Sequence, residues 1–139
     1  MGNTVIKLDI PASHKHLNIL GASLGALFER VDFLTDREML TYNMELALHE
    51  TCTNIVEHAY ESKENGRIRV TITLSESDRE LIVDLYDNGK SFNLDEAKEP
   101  NLEEVQIRGY GLFLMRQLLD EVVYKPGSKE NYWHLVKKL

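Results

Sequence analysis

The sequence predicts an α+β fold, a two-layer α/β sandwich in which a mostly antiparallel sheet carries its helices on one face. Two observations lead there. Hydrophobic patterns of period two and period 3.6 follow one another in the order strand, helix, helix, hairpin, helix, hairpin. The 139 residues are enough to bury one core and too few to divide comfortably, so residues 1–139 read as a single domain without internal repeats.

Thr4 to Ile10 alternates around Val5, Ile6, Leu8 and Ile10 and stops at Pro11, which cannot donate a ladder bond. A helix follows, with Ser13 as its expected N-cap and Leu17, Leu20, Leu24, Leu27 and Phe28 at helical spacing. Gly21 and Gly25 interrupt it, each at a cost of about 1 kcal/mol relative to alanine, so they permit either the close approach of another backbone or ordinary packing against the sheet. Thr35 or Asp36 caps the next helix, which runs to about Tyr60. At ~100° per residue, Met44, Leu48, Ile55, Val56 and Ala59 share one face of it. Glu50, Asn54, Glu57 and Glu61 form a polar stripe opposite, with His58 at its edge.

The polar run from Glu61 to Gly66 ends that pattern. Arg67 to Leu74 alternates as a half-buried strand, Ser75 to Arg79 turns, and Glu80 to Asp87 returns, which makes a hairpin. Asp87-Asn88-Gly89 closes the second strand. Lys90 to Arg108 then has no periodicity, contains Pro100 and is rich in acidic residues, so a mobile lid or binding loop is expected over about 90–108. Gly109-Tyr110-Gly111 opens a third helix, with Leu112, Met115, Leu118 and Leu119 as its buried stripe. Val122 to Tyr124, a turn at Pro126-Gly127-Ser128, and Asn131 to Val136 form the closing hairpin.

Composition narrows the function classes. A net charge of -7 without any basic cluster repels a phosphate backbone, so direct nucleic-acid binding is not expected. The lone Cys52 falls on the apolar side of the central helix, which reads as a packed, reduced thiol and leaves no internal disulfide. No signal-peptide pattern stands at the N-terminus, and the longest apolar stretch, Leu17 to Phe28, is too short to span a bilayer. A cytoplasmic location without a membrane segment is the expectation.

Three segments carry chemistry when read together. A carboxylate and an amide stacked on one ridge, Glu50 and Asn54, can serve a metal-bound anion, although such a stripe is also what any amphipathic helix shows to water. Asp87 at a strand end can accept a hydrogen bond from an exocyclic amine, and Gly89 can let the backbone approach a base, although Asp-Asn-Gly is equally a plain turn. Gly109 and Gly111 at a helix start expose backbone N–H groups and the positive end of the helix dipole, which favour phosphate; helix-start glycines without a ligand are the alternative. There is no Walker-type glycine loop, so any triphosphate is bound without one.

These segments resemble the N, G1 and G2 boxes of the ATPase superfamily that includes gyrase, heat-shock chaperones, histidine kinases and mismatch-repair ATPases, whose shared layout is the Bergerat fold. Within it the sequence is most similar to the bacterial anti-sigma-factor serine/threonine kinases, across nearly the whole chain. The residues concerned are Glu-Leu-Ala-Leu-His-Glu-Thr-Cys-Thr-Asn-Ile-Val-Glu-His-Ala-Tyr from Glu45, Asp-Asn-Gly-Lys-Ser-Phe from Asp87, and Arg-Gly-Tyr-Gly-Leu from Arg108. The resemblance implies ATP and Mg²⁺ as cofactors, with Asn54 holding Mg²⁺ against the phosphates and Asp87 and Gly89 receiving adenine. It implies that Gly109, Tyr110, Gly111 and Leu112 wrap the phosphate tail, and that Glu50 is the general base. Glu50 favours transfer to a hydroxyl, or hydrolysis, because an accepting imidazole needs no strong base. Arg108 either neutralises charge on the transferred phosphoryl group or pairs with the acidic lid. His58 fits the family pattern by position, while a helix-edge histidine more often makes structural hydrogen bonds. The G2 segment departs from the pattern, with two close glycines, Tyr110 between them and Phe113 after Leu112.

The implied function is an ATP-dependent protein serine/threonine kinase of the partner-switching type. Such relatives phosphorylate a small antagonist, the anti-anti-sigma or STAS-type protein, bind a sigma factor and commonly work as homodimers. Two other readings stay open: a nucleotide-gated interaction module with little or no kinase activity, and a detached histidine-kinase-type ATPase domain.

Overall fold

The computed structural model describes residues 2–63, 65–91 and 107–139, with residues 107–110 described as backbone only. Among the described residues five strands form one sheet in the order β1-β2-β3-β5-β4. They are β1 (Thr4–Pro11), β2 (Arg67–Ser75), β3 (Glu80–Asp87), β4 (Glu121–Lys125) and β5 (Asn131–Lys138). Every adjacent pair is antiparallel. Among the described residues three α-helices accompany the sheet: α1 (Asn18–Phe28), α2 (Arg37–Asn54) and α3 (Ile107–Leu118).

Strand alternation decides which face the helices take. In β2 the side chains of Ile68, Val70, Ile72 and Leu74 are buried, and in β3 those of Leu81, Val83 and Leu85. Trp133 and Leu135 of β5 continue this inner face, and all of them join Leu20, Leu24 and Phe28 of α1, Leu48 and Cys52 of α2, and Leu112 and Met115 of α3 in one cluster. This is the predicted two-layer arrangement. The other face of the sheet carries polar rows, including Asp84 bonded to Tyr132 and to the Nδ1 of His134 at 2.7 Å, with the rings of Tyr86 and Tyr132 stacked at 4.9 Å.

Local departures from expectation have physical reasons. Ser13 makes no side-chain cap; the chain runs through a single 3-10 turn, His14–His16, before α1 starts at Asn18. Asp36, rather than Thr35, caps α2 by accepting from the N–H of Met39 at 3.2 Å. The glycines of α1 face α2 rather than the sheet: a Cβ on Gly21 would stand 2.8 Å from Cγ of Glu45, and one on Gly25 would stand 3.6 Å from Cγ2 of Thr41.

The central helical run is continuous to Ala59 but not uniform. After Asn54, residues Ile55–Ala59 wind as a π-helix, so the stripe expected from a strict 3.6 period breaks there. Glu57 is turned toward His14, at 3.5 Å, and Glu61 lies beyond the helix with φ 53°. Cys52 is free and fully buried, and burial pushes its thiol up to about 12. It is therefore protonated and packed as a small apolar residue.

The Asp36 cap carries a prediction. Asp36→Ala should lower stability by about 1 kcal/mol with an unchanged denaturant slope, because one orphan N–H at the start of α2 loses its acceptor. Urea unfolding coincident with wild type would refute it.

Candidate functional site

The candidate site lies along the central helical run, where α3 packs on the C-terminal half of α2 and the turn after β3 sits on Ala59. A fully α-helical turn brings Glu50 and Asn54 onto one ridge, yet that ridge is not the solvated face the period alone suggests. Asn54 is only 4% exposed, Thr51 beside it is buried, and Glu50 is half-buried. The reason is α3, which packs against this part of α2: the Thr51 hydroxyl lies 2.7 Å from the sulfur of Met115. A Cβ on Gly111 would sit 2.9 Å from Oε2 of Glu50 and 3.9 Å from Oδ1 of Asn54. Glycine at 111 thus lets the α3 backbone lie directly over the Glu50/Asn54 ridge.

The Asp-Asn-Gly turn arrives from the other side. A Cβ on Gly89 would lie 2.4 Å from the carbonyl oxygen of Ala59, and the N–H of Lys90 donates to that oxygen at 2.7 Å. Gly89 is required by the π-helical end of the central run, a different reason from approach to a base. Asn88 is held as well: its N–H donates to the Tyr60 hydroxyl at 2.8 Å, and its amide donates to the carbonyl of Lys129 at 2.7 Å.

Asp87 is completely buried. Its Oδ1 accepts from the N–H of Gly89 and from Nδ2 of Asn131, both at 2.9 Å. Burial raises its pKa above the ordinary carboxylate range, against the opposing effect of the Asn131 and Gly89 bonds and of the Arg69 charge. Among the described residues, Asp87 Oδ2 and Asn54 Oδ1 are buried oxygens without a hydrogen-bond partner. Each costs roughly 1–3 kcal/mol if left so.

Of the residues named from the sequence, Glu50, Asn54 and Gly111 are brought together, while Asp87 and Gly89 share the turn that sits on Ala59. Leu112 is near them in the chain, but its side chain is part of the hydrophobic core. Helix α3 starts at Ile107, two residues before the glycine pair, so Gly109 and Gly111 lie within its first turns rather than in a turn ahead of it. The side chains of Arg108 and Tyr110 lie outside the described residues, as do residues 92–106 of the expected lid. His58 is half-buried at the helix edge. Sequence reasoning missed Asn131, which reads as an ordinary strand-start residue; only the pairing of β3 with β5, which sets Asp87 opposite Asn131, reveals it.

Residues 10–137 match the profile of the family described as histidine kinase-like ATPase domain. The serine-protein kinase RsbW of Bacillus pumilus is 30% identical over 140 residues, covering 92% of this chain and 83% of the relative. That of Listeria monocytogenes is 31% identical over 125 residues, covering 84% and 76%. The chain belongs to the histidine kinase-like ATPase family, in the group of the RsbW serine-protein kinases. The RsbW of Bacillus subtilis is similar too, at 29% identity over 125 residues with coverage of 84% and 75%.

Two solved structures share the fold. The histidine kinase domain of the Erythrobacter litoralis blue-light activated histidine kinase superposes with a TM-score of 0.59 at 19% identity, covering 94% of this chain and 62% of that one. The RsbU and RsbW domains of a Mycobacterium tuberculosis protein give 0.61 at 17% identity, covering 98% of this chain and 32% of that one. Among the described residues of this RsbW relative, no helix is long and apolar enough to cross a membrane.

Two predictions follow from the close approaches and from burial. A Cβ at Gly89 meets backbone, whereas one at Gly111 meets the movable end of Glu50. We predict that Gly89→Ala destabilises by about 1–3 kcal/mol, while Gly111→Ala keeps or slightly raises stability through helix propensity. Equal losses in urea for the two variants would contradict this reading.

The raised Asp87 means the folded state binds that proton more readily than the unfolded one. Its contribution therefore favours folding below the unfolded carboxylate range and is lost as pH rises through the folded value. Asp87→Asn removes this titration, so its stability relative to wild type should improve from acid to neutral pH. A relative stability that instead grows on acidification, in urea titrations across that range, would sink the prediction.

Proposed function

We propose that this protein is an ATP-dependent protein serine/threonine kinase of the partner-switching type, acting on a serine or threonine of a small STAS-type antagonist. Membership of the RsbW serine-protein kinase group supports a kinase at the family level. The observation that carries the reading to this chain is the pair of buried oxygens without partners, Asp87 Oδ2 at the strand-end turn and Asn54 Oδ1 beside Gly111, which also closes on Glu50.

Both oxygens suit the implied groups. An acceptor-only carboxylate oxygen with no access to water matches the exocyclic amine of adenine, and an amide oxygen matches a hard cation such as Mg²⁺. In this reading Asp87 orients the base, with Gly89 fixing the turn that holds it. Asn54 holds the metal. The phosphate tail falls to Gly109, Tyr110, Gly111 and Leu112 in the first turns of α3, toward the positive end of the helix dipole. ATP with Mg²⁺ supplies the phosphoryl group. Glu50, half-buried one turn before Asn54, takes the proton of the acceptor hydroxyl, and Arg108 is assigned to the charge that develops on the transferred group.

By the same reading the partners are the antagonist, a sigma factor and a second copy of the chain, in the cytoplasm. The test is incubation with labelled ATP, Mg²⁺ and STAS-type proteins encoded beside this gene. Expected is acid-stable label on serine or threonine, reduced about 10²–10⁴-fold in Glu50→Ala with nucleotide affinity changed only a few-fold. Nucleotide binding without transfer, and with Glu50→Ala indistinguishable from wild type, would replace the kinase by a nucleotide-gated interaction module. Acid-labile phosphohistidine would point to the histidine-kinase type.

A further inference from the structure

We propose that Asn131 is the positioning residue that sets base selection, by clamping Asp87 so that one carboxylate oxygen is engaged and the other is presented to the amine at position 6 of a purine. The inference rests on the nucleotide reading above and extends it to a residue on a different strand. Asn131 is 1% exposed and sits opposite Asp87 in the β3–β5 register.

Its amide is used at both ends. Nδ2 lies 2.9 Å from Asp87 Oδ1, 2.9 Å from the carbonyl of Gly89 and 3.2 Å from that of Lys90. Oδ1 accepts from the Ser91 hydroxyl at 2.7 Å and from the N–H of Gly127 at 3.4 Å. The orientation follows from the partners, because a flipped amide would set its oxygen against three acceptors and its nitrogen against the Gly127 N–H. One side chain thus joins the end of β3, the turn after it and the loop before β5.

The consequence falls on Asp87. A carboxylate with both oxygens free could rotate, or could take up a proton in so buried a place and become a donor. With Oδ1 already accepting two N–H groups, rotation would break both bonds, and the bonds favour the ionised form. Oδ2 is left without a partner, in a place fixed by the bonds of Oδ1. At position 6 of the purine adenine presents an amine donor and guanine a carbonyl, so a carboxylate oxygen fixed against that position accepts the first and repels the second.

Asn131→Asp tests this with almost no change in shape. It puts a carboxylate 2.9 Å from Asp87 Oδ1 in place of a donor, which either displaces Asp87 or loads it with a proton. Mg·ADP and Mg·GDP are titrated by calorimetry into wild type, Asn131→Asp and Ser91→Ala, with circular dichroism as the fold control. Expected is that ADP weakens about tenfold or more in Asn131→Asp, as for loss of a charge-assisted hydrogen bond, while GDP is unchanged or tighter, so the ADP:GDP preference collapses. Ser91→Ala, which removes one support of the Asn131 amide, should shift the preference in the same direction by less. An equal weakening of both nucleotides, or an unchanged ratio, overturns the proposal and leaves Asn131 a structural residue. If Asn131→Asp does not fold, the ratio in Ser91→Ala decides alone. Wild type binding neither nucleotide would instead overturn the nucleotide reading on which the proposal stands.

Discussion

Asp87 ends a central strand with its side chain wholly out of water, and the surroundings are built around the difficulty this creates. A buried carboxylate must either be compensated or take up a proton. Here the compensation comes from Gly89 in the turn and Asn131 across the sheet, with Arg69 contributing charge from the outer face. Compensation is one-sided: Oδ1 is bonded and Oδ2 is not. The β3–β5 pairing, the tight turn after Asp87 and the seating of that turn on Ala59 are the structural conditions of this asymmetry.

The central helix meets the same turn from below and does so by changing its winding. An α-helix continued through Ala59 would keep Glu57 and Glu61 above Asn54. The π-helical Ile55–Ala59 segment breaks that alignment and leaves the carbonyl of Ala59 to accept from Lys90 instead of from its own helix. The irregularity falls between Asn54 and the Asp-Asn-Gly turn, so one element faces two partners. Its α-helical part lies under α3 at Gly111, and its π-helical end lies under Gly89.

Much of this was legible in the sequence. The strand and helix order, the single core and the buried stripes of α2 and α3 followed from periodicity, because each depends on residues close in the chain. The three chemical segments were visible as residue types, and the close approach of Gly111 to Glu50 and Asn54 joins two of them in space. What stayed hidden depends on non-local pairing. A period of 3.6 put Asn54 on the polar side, and only α3 folding across that side buries it. Asn131 carries no signal of its own, since its partner is 44 residues away and is set by strand register. The π-helical turn has no marker in Ile-Val-Glu-His-Ala, and Ser13, a good cap by type, is bypassed by a 3-10 turn.

The glycines show how one residue type can serve two purposes that the sequence cannot separate. Gly89 and Gly111 belong to motifs that a sequence reader assigns to ligand approach. At Gly89 the space is taken by the protein itself, so glycine there is a condition of folding that also fixes Asp87. At Gly111 the neighbour is the carboxylate end of Glu50, a group with freedom to move, so glycine there is a condition of the site rather than of the fold. The distinction assigns the two glycines different loads: Gly89 meets backbone and is tied to stability, while Gly111 meets only side-chain ends. The Asp87–Asn131 clamp is anchored in the sheet, by the pairing of β3 with β5, whereas the segment over Glu50 and Asn54 is held by the packing of α3 on α2.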